Sequence, residues 1–219
     1  MTDYSIDKKT GEVKQQGKAN NDPDRVVKTD KNGNVKTKGQ GLFGFLVSAA
    51  HKNDPRVAFG VEKGILSGGE NLRTHDNVIS VGGQGQPTVQ GVKNFAMDLS
   101  EYVGTEIKGL SYSSNGSGNV TDMELGGYKD NDATHSRASV AEIVKKYGDN
   151  FSRNNILQQF HTHPDGKLGA TESDPALSGD VQNLPDERSY APNASFIILY
   201  RTTPGQTSPS EYDYTKQKP

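Results

Sequence analysis

The chain of 219 residues contains no cysteine, which excludes disulfide bonds, thiolate metal ligands and thiol chemistry. It has no excess of basic charge: 25 Lys and Arg stand against 27 Asp and Glu, a net of −2 at pH 7, so nothing in the charge points to nucleic acid. No apolar run approaches the roughly 20 residues of a membrane-spanning helix. Met1 to Lys9 lack the apolar segment of a signal peptide, so export would need another kind of signal or one carried on a longer parent chain. Gly82-Gly83-Gln84-Gly85 is not followed by Gly-Lys-Ser/Thr, which excludes a phosphate loop and leaves an ordinary one. Hydrophobic residues make up only 31%, and much of the shortfall lies at the N-terminus.

What is present is concentrated in Phe160-His161-Thr162-His163-Pro164 and the residues up to Asp174. The pattern is H-x-H-x(7)-T-x-x-D. Ile156 to Phe160 is rich in apolar residues and predicts a strand ending near Pro164. On a strand, residues two apart share a face, so His161 and His163 aim two imidazoles at one point. The following residues can loop back to bring Asp174 as a third ligand. Two imidazole nitrogens and one carboxylate oxygen suit zinc, and three protein ligands leave a fourth position open, as in catalytic sites.

This arrangement resembles the JAMM (MPN+/JAB1) metalloprotease motif, in which a distant Glu precedes H-x-H-P, seven residues and S-x-x-D. Position by position, the resemblance implies His161, His163 and Asp174 as zinc ligands. Thr171 stands where the family usually has Ser, and its hydroxyl would stabilise the tetrahedral oxyanion; the added methyl stiffens the side chain. The family's general base is an upstream Glu at the start of a strand. Glu106, in Thr105-Glu106-Ile107-Lys108-Gly109-Leu110, fits that E-x-x-G stretch. Glu124 and Glu142 are weaker candidates. The implied reaction is attack of a deprotonated water on a peptide or isopeptide carbonyl, with Glu106 moving the proton to the leaving amine.

Elsewhere the periodicity predicts the frame. Val92, Phe95, Ala96, Leu99, Tyr102 and Val103 make a helical stripe over Val89 to Val103, closed by Gly104. Strands are expected from Glu106 through Tyr112 and over Val120 to Tyr128. Ser139 to Tyr147 predicts a helix, with Ser139 and Glu142 as a capping box. Asp174-Pro175 opens another helix, and Asp174 is a good N-cap whether or not it binds metal. Pro185 to Pro192 is expected as loop, Phe196 to Tyr200 as a buried strand, and Glu211 to Tyr214 as an edge strand. Gly41 to Ala50 is expected as a core strand or helix. Residues 1–40 form polar, repeat-like hairpins around Thr10-Gly11 and Asn32-Gly33, or a linker. The expected fold class is α/β, a mixed β-sheet flanked by helices in a JAMM-like layout, with a polar hairpin-rich N-terminal extension. The JAMM-like domain would span 41–219, with its motif core at about 85–215.

Within the superfamily, His161-Thr162-His163-Pro164, Glu172-Ser173-Asp174-Pro175, Asp180, the Ser195 to Tyr200 strand and the repeat-like N-terminus are similar to the JAB-like toxin domains of bacterial polymorphic toxins, often joined to Rhs-type repeats. That resemblance implies secretion or delivery to a target cell as part of a larger bacterial protein. It also implies a protein substrate, such as a ubiquitin-like conjugate, and a cognate immunity protein. Three function classes stay open: a zinc peptidase or isopeptidase, a zinc hydrolase of a non-peptide bond, and a catalytically inactive JAMM-like interaction module.

Overall fold

A computed structural model of the chain describes residues 2–18, 23–30, 35, 57–128, 140–164, 175–203 and 206–216, with no side-chain description for 175–179. Among the described residues the class is mixed α/β, with two mixed sheets and three α-helices. The larger sheet has six strands. They are β5 (Asn77–Ser80), β6 (Lys108–Tyr112), β7 (Asp122–Leu125), β8 (Ile156–His163), β9 (Ser195–Tyr200) and β10 (Ser210–Asp213), in the order β10-β9-β8-β6-β7-β5. Only β8 and β9 run parallel in it; the other neighbours are antiparallel. β10 is the expected edge strand.

The smaller sheet is β2-β1-β3-β4, built from β1 (Asp3–Ile6), β2 (Val13–Gln16), β3 (Asp24–Val27) and β4 (Val57–Val61). The turn at Thr10-Gly11 joins β1 and β2 as a hairpin, with Gly11 at φ 80°. Its glycine is required twice over, because a Cβ there would also lie 2.3 Å from the Cβ of Arg73. β3 then pairs parallel to β1, and beyond it Thr29 bridges Val35 antiparallel. Asn32-Gly33 and Gly41 to Ala50 lie outside the described residues.

Helix α1 (Val89–Val103) has the predicted bounds. Thr88 caps its start by accepting the Gly91 N–H, and Gly104 ends it in the left-handed region at φ 73°. α1 lies between the two sheets. Its Val92, Phe95, Ala96 and Leu99 join one buried cluster with Tyr4, Ile6, Val13, Val26 and Val61 on one side, and with Ile107, Met123, Leu125, Phe160, Ile197 and Leu199 of the large sheet on the other. Each buried Val, Leu, Ile, Phe or Met side chain contributes about 1.5–3 kcal/mol. The opposite face of the large sheet carries Leu110, Tyr112, Phe196 and Ile198, covered by Ile143 of α2 (Ala141–Tyr147) and Leu184 of α3 (Pro175–Tyr190).

Two expectations are corrected at these helices. Residues 185–190 are helix, not loop: α3 continues through Pro185 to Tyr190. A proline inside a helix costs about 3 kcal/mol through its missing N–H and its ring. That cost is offset by burial of Leu184 and Ala191 on the face toward the sheet. α2 begins later than expected, and Val140 at its N-cap makes no side-chain capping bond. Ser139 lies outside the described residues, and Glu142 pairs with Lys145 at 3.3 Å, a local role on an exposed helix surface.

Candidate metal centre

The alternation of β8 decides which side chains face which layer. Phe160 and Thr162 point toward α1, whereas Gln159, His161 and His163 point toward α3. Cross-strand register extends this second face. His161 lies opposite Ile198 on β9 and Lys108 on β6, and His163 lies opposite Tyr200. Continuing the antiparallel register past β6 sets Glu106 beside His163. The histidines therefore stand at the carboxyl end of the parallel pair β8 and β9, where α/β sheets open to ligands.

His161 and His163 are buried, 2% and 6% exposed, and their Nε2 atoms are 3.1 Å apart. Asp180 of α3 places Oδ2 at 3.3 Å from His161 Nε2 and 4.0 Å from His163 Nε2. These three residues form a group able to hold a metal ion, with all ligand atoms within 4.8 Å of one another. The spacing fits. Ligands about 2.0–2.1 Å from a tetrahedral zinc lie about 3.3 Å from each other, so the 3.1 and 3.3 Å separations match two edges of that tetrahedron, and the third, at 4.0 Å, is longer and would have to shorten around an ion. The donor chemistry fits as well. Two imidazole nitrogens and one carboxylate oxygen are donors that a divalent ion such as zinc takes together.

Glu106 stands at the rim. Its Oε1 is 3.9 Å from His163 Nε2, and its side chain is 36% exposed, the most open of the four. The structure thus brings together His161, His163 and Glu106 as the sequence predicts. Thr171 and Asp174 lie outside the described residues. Asp180 occupies the third position among the described residues, a role that the motif spacing did not assign to it. A signal for it exists. Asp180, Leu184, Glu187 and Ala191 follow the 4-3-4 spacing of one helix face, so an acid at the head of a buried stripe must point at the sheet.

The electrostatics follow from this enclosure. Burial pushes the His161 imidazole down, but the hydrogen bond and charge of Asp180, with the charges of Glu106 and Glu187, more than offset it and leave the ring above its ordinary value. Behind His161, the Tyr214 ring meets it edge-on with centroids 6.2 Å apart. The Tyr214 hydroxyl donates to Glu187 Oε2 at 3.5 Å, and burial with that neighbouring carboxylate drives the phenol upward, so it stays protonated. Tyr214 thereby ties β10 to the helix that carries Asp180.

The weaker base candidates sit elsewhere. Glu124 is fully buried on β7, where Oε2 accepts the Ile143 N–H at 3.0 Å under α2. No helix among the described residues is long and apolar enough to cross a membrane. Comparison of the chain with family models, curated proteins and solved structures gives no match.

Proposed function

We propose that this chain is a zinc-dependent hydrolase of peptide or isopeptide bonds, with the ion held by His161, His163 and Asp180. The observation that carries the reading is the buried His161–His163–Asp180 group with the Glu106 carboxylate beside it at the open rim. Imidazole nitrogen and carboxylate oxygen donors, with no cysteine in the chain, suit zinc, and three protein donors suit a catalytic rather than a structural site. Zinc so held supplies Lewis acidity, which makes water a nucleophile near neutral pH and polarises a carbonyl.

The residues divide the remaining work. Glu106 takes a proton from the attacking water and returns it to the leaving amine as the C–O bond forms and the C–N bond breaks. Its partial exposure lets it reach substrate, whereas the buried histidines hold still. The Thr171 hydroxyl is the oxyanion donor that the JAMM resemblance supplies. A sheet with α1 on one face and α2 and α3 on the other supports the JAMM-like layout. On the same resemblance, the chain acts as the effector domain of a larger secreted bacterial polymorphic toxin, with a protein substrate in the target cell and a cognate immunity protein.

The test is to incubate a bacterial and a eukaryotic protein extract with the zinc-loaded protein and to read new chain ends and released isopeptides by mass spectrometry. Cleavage products that vanish with Glu106→Gln, while zinc is retained, are expected. Cleavage unaffected by Glu106→Gln would remove Glu106 from the mechanism.

A further inference from the structure

We infer that Thr162, the residue between the two histidines, is a positioning residue that fixes the Glu106 carboxylate at the metal centre through a buried clamp with Ser100. This rests on the proposed metal centre and specifies how its base is held. Thr162 points away from the histidines, toward α1, so it touches neither ligand nor substrate. Its hydroxyl accepts the Ile107 N–H at 2.8 Å and donates to Ser100 Oγ at 2.6 Å. Ser100 Oγ in turn donates to the Thr105 carbonyl at 2.7 Å. The Thr162 N–H closes the ring on the Ile107 carbonyl at 3.0 Å.

The consequence is specific to one residue. Glu106 lies in the non-strand link between α1 and β6, yet the backbone on each side of it is fastened: Thr105 through Ser100, and Ile107 through Thr162. Thr162, Ser100 and Ile107 are at most 1% exposed, so these bonds form where water does not compete. The same β8 residue that spaces His161 from His163 therefore sets where the Glu106 carboxylate stands relative to both. Serine would retain the hydroxyl; valine keeps the shape and leaves the Ile107 N–H without its acceptor.

The probe is Zn2+ alone, its affinity measured by chelator competition in a double-mutant cycle of Thr162→Val and Glu106→Gln. A carboxylate a few ångströms from a divalent ion strengthens its binding, so Glu106→Gln is expected to weaken zinc by roughly four- to tenfold. Thr162→Val should weaken it by a comparable factor in the wild-type background and by almost nothing in the Glu106→Gln background, and Thr162→Ser should restore wild-type affinity. Equal losses in both backgrounds would mean that Thr162 acts on the histidines, and would overturn the inference, as would unchanged affinity in Thr162→Val.

A metal-free arm stands apart from the zinc reading. Exchange of the Ile107 amide, whose acceptor is the Thr162 hydroxyl, should accelerate by about tenfold or more in Thr162→Val, or in Thr162→Ala if the valine variant does not fold, with β9 amides unchanged. If wild type binds no zinc, the metal centre fails while this arm still decides the clamp. Unchanged exchange would overturn it.

Discussion

His161 of β8 and Asp180 of α3 meet Nε2 to Oδ2 at 3.3 Å, 19 residues apart in sequence and on two different layers of the fold. This contact makes the candidate metal centre dependent on how α3 packs on the sheet. What holds α3 there is its inward stripe of Leu184, Glu187 and Ala191, and the Tyr214–Glu187 contact from the end of β10. The site is thus assembled by the packing of the whole sheet face, and several predictions about that packing can be checked without a substrate.

Glu124 gives the protein a pH-dependent cost. Burial raises its carboxyl to about 8, with the charges of Asp76 and Glu142 adding to the rise and the Ile143 N–H opposing it. Its unfolded value is the ordinary carboxylate one. Between those limits the folded state keeps a proton that the unfolded state loses, so the contribution to stability falls as pH rises and levels off above about 8. Glu124→Gln should therefore be more stable than wild type at pH 8 relative to pH 5, by roughly 1–4 kcal/mol in urea unfolding. Parallel pH profiles for the two proteins would contradict this.

Asp122 binds α2 to the sheet. Its carboxylate accepts from Ser80 Oγ and Thr121 Oγ1, each at 2.9 Å, and from Lys146 and Tyr147 of α2. Burial raises its pKa, but these donors more than offset that and leave it lowered. Its stabilisation is present above the ordinary Asp value and is lost as pH falls through the lowered one, so it is constant from pH 5 to 8. Asp122→Ala should destabilise by about 2–4 kcal/mol at pH 7, through the unpaired donors left behind. Thermal and urea unfolding check it, and a loss below about 0.5 kcal/mol would contradict it.

Gly109 supplies space beside the site. A Cβ there would lie 2.3 Å from the Cζ of Phe160, the residue that precedes His161. Gly109→Ala should cost about 1–3 kcal/mol by overpacking. Shortening the ring in the Gly109→Ala/Phe160→Leu double variant should recover part of that loss, and a double variant as unstable as the sum of the singles would argue against the clash.

Much of this arrangement is legible in the sequence where the signal is local. The helical stripe and Gly104 predict α1 with its observed bounds, and the two-residue period of β8 predicts that His161 and His163 share a face. Glu106 is legible only through the likeness of its E-x-x-G stretch to the JAMM motif. Asp180 is obscured because Asp174 satisfies the shorter motif spacing, and because the inward turn of Asp180 depends on α3 passing Pro185 as helix. β4 and β5 carry little signal of their own. β5 is four residues, Asn-Val-Ile-Ser, and is a strand because Val78 pairs with Glu124 far along the chain. The parallel pairing of β1 with β3 is likewise non-local, whereas the β1–β2 hairpin is written in Thr10-Gly11.

The most direct measurement is the zinc content of purified protein, loaded with zinc and freed of excess, for wild type, Asp180→Asn and Asp174→Asn. The His161–His163–Asp180 centre predicts about one zinc per chain in wild type and in Asp174→Asn, and little or none in Asp180→Asn. A full equivalent of zinc retained by Asp180→Asn, or none bound by wild type, would contradict it.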